Sequence, residues 1–534
     1  MDRRRFVWKA GLLVAGTALG GTVACNHDPG LVIPNLGPAL PPTPVPGVTY
    51  LWASKIGCAL DCDLVSGRNK HTYGAATDDG PRINAALAGA TADNPITLII
   101  DGSALISGLF LPANGYWSIA GLGGGTGFCV KTGTNNDGLH NGPPDAAVPF
   151  NPGPPAPARG MNVSLSNFTI NGNQNGDSTS GMRQGSASAW YCGINLMNLD
   201  NITIENVVVV NTPSFHIRLS NVGNVTVSGC IMQSRGLSTD GLHFSGPAND
   251  ITISNCQFTT GDDSIALNCP EGCSGNISRV KVTGCIFNSL SLMRLYTIAI
   301  PGSPARFSID TVSVSNCIGT LSEGAFLIGL NNGSLPNSVA SLTISDCDLT
   351  APTVLAVAEN FGSIALQNVS FVPSQSNVIW VPHDDNHLSA FVRPSPLYPG
   401  RTIVGSSLSF QNCTIIRKSN MNVAAVVLEN GSMINSLEFN GFGIQDDGNY
   451  SPASALLNVE SGSIQQLGLD AINSSSITSP VQTGRWSIGV VTGAGVLATN
   501  WEFPDSVMAN GVPYISATTG LPSIKVDGVV EPYP

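Results

Sequence analysis

A short segment that ends in cysteine recurs along the middle of the chain, and this repeat limits the possible folds more than any other feature. The copies read VTVSGC, ITISNC, VKVTGC, VSVSNC, LTISDC and LSFQNC, and they end at Cys230, Cys256, Cys285, Cys317, Cys347 and Cys413. Cysteine-free relatives include LSNFTI near Phe168 and ITIENV near Glu205. A similar segment about every 25 residues is typical of a solenoid, in which each repeat packs on its neighbours.

Each copy alternates apolar and polar residues as a strand does, and it closes on Asn, Asp, Ser or Gly, which favour turns. Helical patterns are almost absent between the copies, which argues against leucine-rich and ankyrin repeats. Charged residues make up only 11% of the chain, against about 25% in an ordinary soluble domain. The sequence therefore predicts an all-β fold, a right-handed single-stranded parallel β-helix whose coils stack about 4.8 Å apart.

The repeat also accounts for about half of the 13 cysteines. Because these cysteines recur at one position per coil, we expect them to stack in the interior as thiols. Two other pairs, Cys58–Cys62 and Cys269–Cys273, would each close a short loop. In an exported protein such pairs are the better candidates for disulfides.

The open ends of a β-helix expose strand edges and apolar core, so they need caps. The segment DDGP at 78–81 is followed by the amphipathic run RINAAL. Acidic residues at the N-cap and proline in the first turn predict a short N-terminal cap helix. Strands within residues 501–534 are expected to cap the other end, which leaves residues 50–500 for the β-helix.

The N-terminus has the pattern of an export signal. Three arginines at 3–5 precede an apolar run over 10–24, which is shorter than the ~20 residues that span a bilayer. Residues 1–25 are therefore predicted to be a twin-arginine signal peptide. The segment TVAC resembles a bacterial lipobox with Thr where Leu is usual, so Cys25 is either a lipidation site or incidental. The Pro-rich residues 26–49 are typical of an extended linker, and we expect export by a bacterium to the periplasm, the cell surface or the medium.

Three acidic residues occupy the same place in successive coils. Asp240 lies in the segment STDG, and Asp262 and Asp263 lie in GDDSIAL, one repeat further on. Stacking of the coils would bring them within roughly 5–10 Å of one another. Cleavage of a glycosidic bond needs two carboxyl groups, and crowding of acids is expected to supply a protonated one. Other Asp pairs, such as that in HDDNH at 383–387, are more simply explained as surface turns.

The segments TDG and GDDSIAL together resemble glycoside hydrolase family 28, the polygalacturonases, within the pectate-lyase-like β-helix superfamily. The segment NTPSFHI at 211–217 is similar to the coil that precedes the catalytic coil in that family. The resemblance implies that residues 50–500 form a catalytic domain in which Asp262 is the general acid. It also implies that Asp240 and Asp263 hold and activate water and that configuration is inverted. We expect neither a metal ion nor another cofactor.

The chain departs from the family pattern at three places. Ser238 stands where the family motif begins with Asn, and alignment of the next coil puts Ser291 in the place of the family's His. The family's Arg-x-Lys can be matched only to Arg294 and Tyr296, with Tyr in the place of Lys. Because that Arg and Lys bind the galacturonate carboxylate in the family, the substrate is expected to be a neutral or differently charged glycan.

Strand alternation predicts a column of side chains on the outer face of the sheet beside the acids. Its members, one per coil, are Asn195, Arg218, His243, Ala266 and Arg294. Stacked Arg and His repel one another unless they meet a ligand or acids, so these polar members are predicted to contact the sugar or to tune the acids. Tyr296 is expected near them, and Trp190 is a candidate platform for stacking on a sugar. The alternatives are an ordinary solvated face for the column and packing under a loop for Trp190.

An exported glycoside hydrolase with a carbohydrate substrate is the preferred hypothesis, and two alternatives remain. In a polysaccharide lyase on the same scaffold, the Asp cluster would bind Ca²⁺ and Arg294 would abstract the proton. In a non-catalytic glycan-binding protein, the β-helix would be a surface rod. A nucleic-acid partner is not expected, because the net charge is −12 and binding of phosphates needs clustered Lys and Arg.

The substitution Arg294→Ala tests the predicted role of the column. We expect it to abolish turnover while the melting temperature stays nearly unchanged, because a residue that contacts the sugar contributes to the reaction and not to folding. Glycan cleavage and thermal denaturation would be measured on the same preparation. A loss of stability that matches the loss of activity would instead support a structural role.

Overall fold

The computed structural model describes residues 33–134, 136–142, 158–173, 191–234, 239–270, 274–297, 307–329, 338–357, 359–374, 390–394, 403–418, 423–428, 431–449, 454–459, 461–473, 477, 479–481, 487–494, 496 and 501–534. The predicted signal peptide, Trp190, Ser238, Cys273 and the HDDNH segment lie outside these residues. The chain divides into two compact units, Met1–Leu290 with Ile300–Ala305, and Ser291–Ala299 with Arg306–Pro534. No helix among the described residues is both long enough and apolar enough to cross a membrane.

The first unit consists of short strands that pair in parallel from coil to coil. They are β1 (Thr49–Trp52), β2 (Ile96–Ile100), β3 (Ser103–Ile106), β4 (Leu109–Phe110), β5 (Trp117–Gly121), β6 (Gly127–Val130), β7 (Leu139–His140), β8 (Gly160–Ser166), β9 (Thr169–Asn171), β10 (Ile194–Glu205), β11 (Val208–Val210), β12 (Ile217–Ser228), β13 (Ile231–Gln233), β14 (Leu242–Ser254), β15 (Gln257–Thr259), β16 (Asp263–Asn268), β17 (Ile277–Thr283) and the first part of β18 (Ile286–Tyr296). Apolar residues stack in register inside the coils, with Ile194 beside Ile217, then Leu242 and Ile265. The predicted parallel β-helix is confirmed.

The second unit repeats the same plan. Its strands are β19 (Ile309–Ser315), β20 (Ile318–Ile328), β21 (Val339–Ser345), β22 (Asp348–Ala351), β23 (Thr353–Val357), β24 (Phe361–Gln367), β25 (Ser370–Pro373), β26 (Ala390–Pro394), β27 (Val404–Gln411), β28 (Thr414–Arg417), β29 (Val423–Leu428), β30 (Ser432–Asn440), β31 (Gly443–Asp446), β32 (Ser454–Val459), β33 (Gly462–Asp470), β34 (Ser479–Val481) and β35 (Ile488–Thr492). A separate four-stranded sheet follows, built from β36 (Glu502–Phe503), β37 (Pro513–Ser516), β38 (Pro522–Val526) and β39 (Val529–Pro532). Its last three strands are antiparallel, unlike those of the coils.

The predicted cap helix is present as α1 (Gly80–Leu87), which buries Ile83 and Leu87 against the first coils. The acidic N-cap is also found, at Asp79. The Asp78 carboxylate accepts a hydrogen bond from the backbone N–H of Gly80 at 3.1 Å, whereas the Asp79 side chain makes none to the helix. Its carboxylate accepts hydrogen bonds from the backbone N–H groups of Ala59 at 2.7 Å and Leu60 at 3.0 Å, so Asp79 fastens the preceding loop to the helix.

A turn in the left-handed backbone conformation explains the residue before each repeat cysteine. The φ angle there is 53° at Asn255, 53° at Asp346 and 66° at Gly284, a region that Asn, Asp and Gly tolerate better than other residues. The side chains at this position also bond from one coil to the next. In the second unit Asn368 donates to Asp346 at 2.8 Å, and Asn412 donates to Asn368 at 3.3 Å.

The cysteines of the repeat are buried thiols, as predicted. Each thiol donates a hydrogen bond to the carbonyl oxygen two residues earlier, for example from Cys230 to Ser228 at 3.3 Å and from Cys347 to Ser345 at 3.1 Å. Burial raises the pKa of the Cys413 thiol to about 11. Such thiols stay protonated and unreactive at neutral pH, because the thiolate is the reactive form.

The predicted disulfide between Cys58 and Cys62 is wrong, because both residues are thiols. The Cys62 side chain belongs to an apolar cluster with Leu105 and Cys129. Burial, and then the charge of Asp79, raise the pKa of the Cys58 thiol to about 11. The two side chains therefore lie in different surroundings, although they are close in sequence. Cys269 is also a thiol, so its predicted bridge to Cys273 is not supported.

Alkylation tests the absence of disulfides. We expect iodoacetamide to modify all 11 cysteines that the structure describes, in the unfolded protein and without reductant, because each of them is a thiol. The measured quantity is the intact mass, and a sample that is reduced before alkylation is the control. A mass lower by two labels than that of the control would reveal a disulfide.

Candidate active site

Four of the five members of the predicted column lie in register near the starts of β10, β12, β14 and β16. Strand register places Asn195 beside Arg218, Arg218 beside His243, and His243 beside Ala266. One coil earlier, His140 of β7 continues the column. Arg218 is 4% exposed and His243 is fully buried, so these side chains do not form the solvated face that was the alternative.

The three predicted acids come together beside this column. Asp240 directly precedes Gly241 and β14, while Asp262 and Asp263 stand at the start of β16. Oxygen atoms of the three carboxylates lie within 4.8 Å of one another, and all three residues are buried. The backbone N–H of Gly241 donates to the Asp263 carbonyl at 3.0 Å, which fixes the two coils at the height of the acids.

Gly241 is required at this position by close packing. A Cβ atom there would lie 2.5 Å from the ring of Phe258 and 2.5 Å from the backbone oxygen of Ser264. These distances are shorter than any ordinary van der Waals contact. The glycine of the TDG segment therefore allows the coil that carries Asp240 to approach the coil that carries Asp262 and Asp263.

His243 contacts the acid cluster directly. Its Nδ1 lies 2.7 Å from Oδ2 of Asp240, and both side chains are fully buried. The imidazole stacks on the ring of Phe215, with centroids 3.9 Å apart. On its other side, Nε2 lies 3.4 Å from the amide nitrogen of Asn268. His243 thus contacts one of the acids, and its predicted role, contact with the sugar or tuning of the acids, stays a prediction.

His216 is a site residue that the sequence analysis missed. Its backbone N–H donates to the carbonyl oxygen of Asp240 at 2.8 Å, and its ring Nδ1 lies 2.8 Å from the same oxygen. Burial lowers the pKa of His216 to about 4, so the ring is neutral in most of the physiological range. The segment NTPSFHI contained this residue, but strand alternation assigned no role to it because it precedes β12.

Asp137 is a fourth buried carboxyl group near the column, and it was also missed. It accepts hydrogen bonds from the backbone N–H of Cys192 at 2.6 Å and from the Asn195 side chain at 2.8 Å. Burial raises the pKa of Asp137, against the opposing effects of these hydrogen bonds and of nearby His140 and Arg218. It lies in a stretch without the repeat pattern, so sequence spacing could not place it.

The remaining predicted contacts fall elsewhere. Arg294 and Tyr296 are 6% and 2% exposed and belong to the second unit. The carbonyl of Leu295, between them, accepts a hydrogen bond from Gly329 at 2.7 Å. Their proximity to the three acids stays a prediction, as does the role of Trp190.

Comparisons with known proteins match the part of the chain that contains the three acids. The model of the family described as glycosyl hydrolases family 28 matches residues 160–288. A probable polygalacturonase of Arabidopsis thaliana is 27% identical over 186 residues, which cover 32% of this chain and 40% of that protein. An Arabidopsis thaliana exopolygalacturonase is 26% identical over 115 residues, 20% of this chain and 26% of that protein. The chain thus matches less than half the length of these relatives.

Among solved structures, a family 28 exopolygalacturonase of Yersinia enterocolitica shares 11% identity at a TM-score of 0.45 and covers 83% of this chain and 78% of its own. The matched family segment contains Asp240, Asp262 and Asp263 together with the strands that hold them. The resemblance to glycoside hydrolase family 28 is therefore confirmed for the coils that carry the three acids.

Proposed function

We propose that this protein is a glycoside hydrolase that cleaves a poly- or oligosaccharide with Asp240, Asp262 and Asp263. The observation that carries the proposal is the position of three buried carboxylates, with oxygens within 4.8 Å of one another, inside the segment matched by family 28. Structural Asp residues in turns are ordinarily exposed and separate, whereas burial of three acids together costs stability unless function requires it.

The proposed chemistry divides the acids into two roles. Repulsion between carboxylates at this distance favours retention of one proton in the cluster. Asp262 holds that proton and gives it to the glycosidic oxygen as the bond to the anomeric carbon breaks. Asp240 and Asp263 orient a water molecule, and Asp240 accepts its proton as the water attacks the carbon.

The stereochemical outcome rests on the family resemblance, which implies inversion. Distance alone does not favour it, because carboxyl groups about 5–5.5 Å apart are usual in retaining enzymes and about 6.5–9.5 Å in inverting ones. The oxygens here lie within 4.8 Å. Measurement of the first anomer released is therefore decisive.

We propose that the substrate differs from polygalacturonate, although the relatives are named as polygalacturonases. The family's Lys is replaced by Tyr296, and Ser238 and Ser291 replace two other residues of the family motifs. Without the Lys, a galacturonate carboxylate would lose one of its charged partners. We propose that Arg218, Arg294 and the side-chain oxygen of Asn195 contact the glycan instead, because the side-chain nitrogen of Asn195 is bound to Asp137. Trp190 and Tyr296 are proposed as aromatic contacts.

The two alternative functions predict different behaviour of the acid cluster. Three carboxylates at this spacing could hold Ca²⁺, which binds six to eight oxygen ligands, and a lyase would depend on such an ion. A non-catalytic glycan-binding protein would retain binding and release no product. The proposed hydrolase needs no metal ion, so a chelator would stop a lyase and leave a hydrolase active. Release of product would distinguish either enzyme from a non-catalytic protein.

We further propose that a bacterium exports the protein through the signal at residues 1–25, followed by the linker at 26–49. The protein would remain in the periplasm or on the cell surface if Cys25 is lipidated, and would be secreted otherwise. The β-helix over 50–500 is the catalytic domain in this proposal. The four-stranded sheet within 501–534 supports a role for that segment as a C-terminal cap. The mass of the mature protein, recovered from membrane and soluble fractions, tests the processing and the lipid.

The substitution Asp262→Asn tests the catalytic proposal. We expect glycan cleavage to fall by about 10²–10⁴-fold, because the amide cannot donate the proton that the leaving oxygen needs. The melting temperature should stay the same or rise, since one of three crowded acids is removed. Asp310→Asn is the matched control, because Asp310 is exposed. Full activity of Asp262→Asn would contradict the proposal and favour a non-catalytic protein.

Product analysis tests the mechanism. On a panel of neutral and acidic glycans, we expect the first product seen by NMR to have the inverted anomeric configuration, and EDTA to leave the rate unchanged. The inverted anomer is expected because activated water attacks the carbon directly. The retained anomer would indicate a covalent intermediate, and unsaturated products lost on chelation would establish a lyase.

A further inference from the structure

The imidazole of His243 is held on three sides within the coil of the acids. Nδ1 lies 2.7 Å from Oδ2 of Asp240, and the ring face stacks on Phe215. Nε2 lies 3.4 Å from the side-chain nitrogen of Asn268. His243 and Asn268 are both fully buried, so the polar groups of the protein, rather than water, determine which ring nitrogen carries a proton.

These contacts select one protonation state. In this orientation of the Asn268 amide its nitrogen faces Nε2 at 3.4 Å, and because an amide nitrogen only donates, Nε2 is the acceptor of this contact. A neutral imidazole that accepts at Nε2 carries its proton on Nδ1, and this N–H then donates to the Asp240 carboxylate. The hydrogen bonds therefore run in one direction, from Asn268 to His243 to Asp240.

The charged surroundings favour the same state. Arg218 is the neighbour of His243 in the preceding coil and Ala266 in the following coil. A positive charge on His243 would lie beside the positively charged Arg218 of the neighbouring strand. Such repulsion between buried like charges is unfavourable. His216, on the loop before β12, is neutral because burial lowers its pKa to about 4. The carboxylate that His243 contacts is that of Asp240, and Asp262 and Asp263 belong to the same cluster.

We propose that His243 is a positioning residue that, as a neutral ring protonated on Nδ1, keeps Asp240 ionised and fixes it as the base of the reaction. The inference rests on the proposed hydrolase function and adds to it a reason why Asp240, and not Asp262, accepts the proton. His243 donates to one carboxylate oxygen and His216 binds the carbonyl of the same residue, so Asp240 is held at both ends.

The proton balance of the step is complete without any change at His243. Water adds its oxygen to the anomeric carbon and loses one proton to the carboxylate of Asp240. The bond from carbon to the leaving oxygen breaks, and that oxygen receives the proton of Asp262. After product release, Asp240 returns a proton to solvent and Asp262 takes one up.

Nitrogen NMR tests the protonation state without any substrate. In protein labelled with ¹⁵N-histidine, His243 is identified by the signals that disappear in His243→Phe, and His71→Phe is the matched control at an exposed histidine. At pH 7 we expect a neutral ring protonated on Nδ1. Asn268→Asp replaces the donor by an acceptor of the same shape, and we expect His243 to gain a proton on Nε2. A ring protonated on Nε2 in the unaltered protein would overturn the proposal.

Kinetics tests the consequence for the reaction. For His243→Phe, which keeps the stacking on Phe215, we expect kcat on the cleaved glycan to fall at least about tenfold with little change in KM. The acid limb of the kcat/KM profile should move up by about one pH unit, because an ionised carboxylate that loses a donor takes up a proton more easily. A pH profile identical to that of the unaltered protein would refute the positioning role. If no glycan is cleaved at all, the hydrolase proposal fails while the NMR result stands.

Discussion

Parallel pairing between successive coils is the constraint on which the rest of the structure depends. Each backbone hydrogen bond from one coil to the next carries the register forward, so a residue that occupies one place in a coil meets its counterpart in the next. In the first unit this places Asn195, Arg218 and His243 in one row. The same register sets Asp240 at the height of Asp262 and Asp263. A site assembled from residues distant in sequence thus needs no long loop to hold it.

The sequence predicts those features that repeat. The β-helix, the thiol ladder and the acid cluster all follow from a pattern that returns once per coil, and each is found in the structure. Asn, Asp or Gly before the cysteine also has a local cause, because the backbone there adopts a positive φ. Because equivalent positions in successive coils share one environment, the residues at these positions show several times over which side chains that environment accepts.

Features that occur once were harder to predict. The Cys58–Cys62 bridge was inferred from spacing alone, but loop length does not fix side-chain direction, and Cys62 packs towards Cys129. Asp137 and His216 lie just before β7 and β12 and not within them, so strand alternation does not indicate either residue. The N-cap residue Asp79 shows the same limit, since its carboxylate is bound by a loop that the helix pattern does not include.

The glycine at position 241 has a consequence for how such a molecule can change over time. Since this residue admits the contact between two particular coils, the acids depend on that one junction and not on the total number of coils. Whole coils could be gained or lost at either side of the junction without moving Asp240 from Asp262. An extra coil inserted within the junction would separate them by a further strand spacing. The proposed chemistry is therefore tied to the adjacency of two coils, while the number of other coils is free to vary.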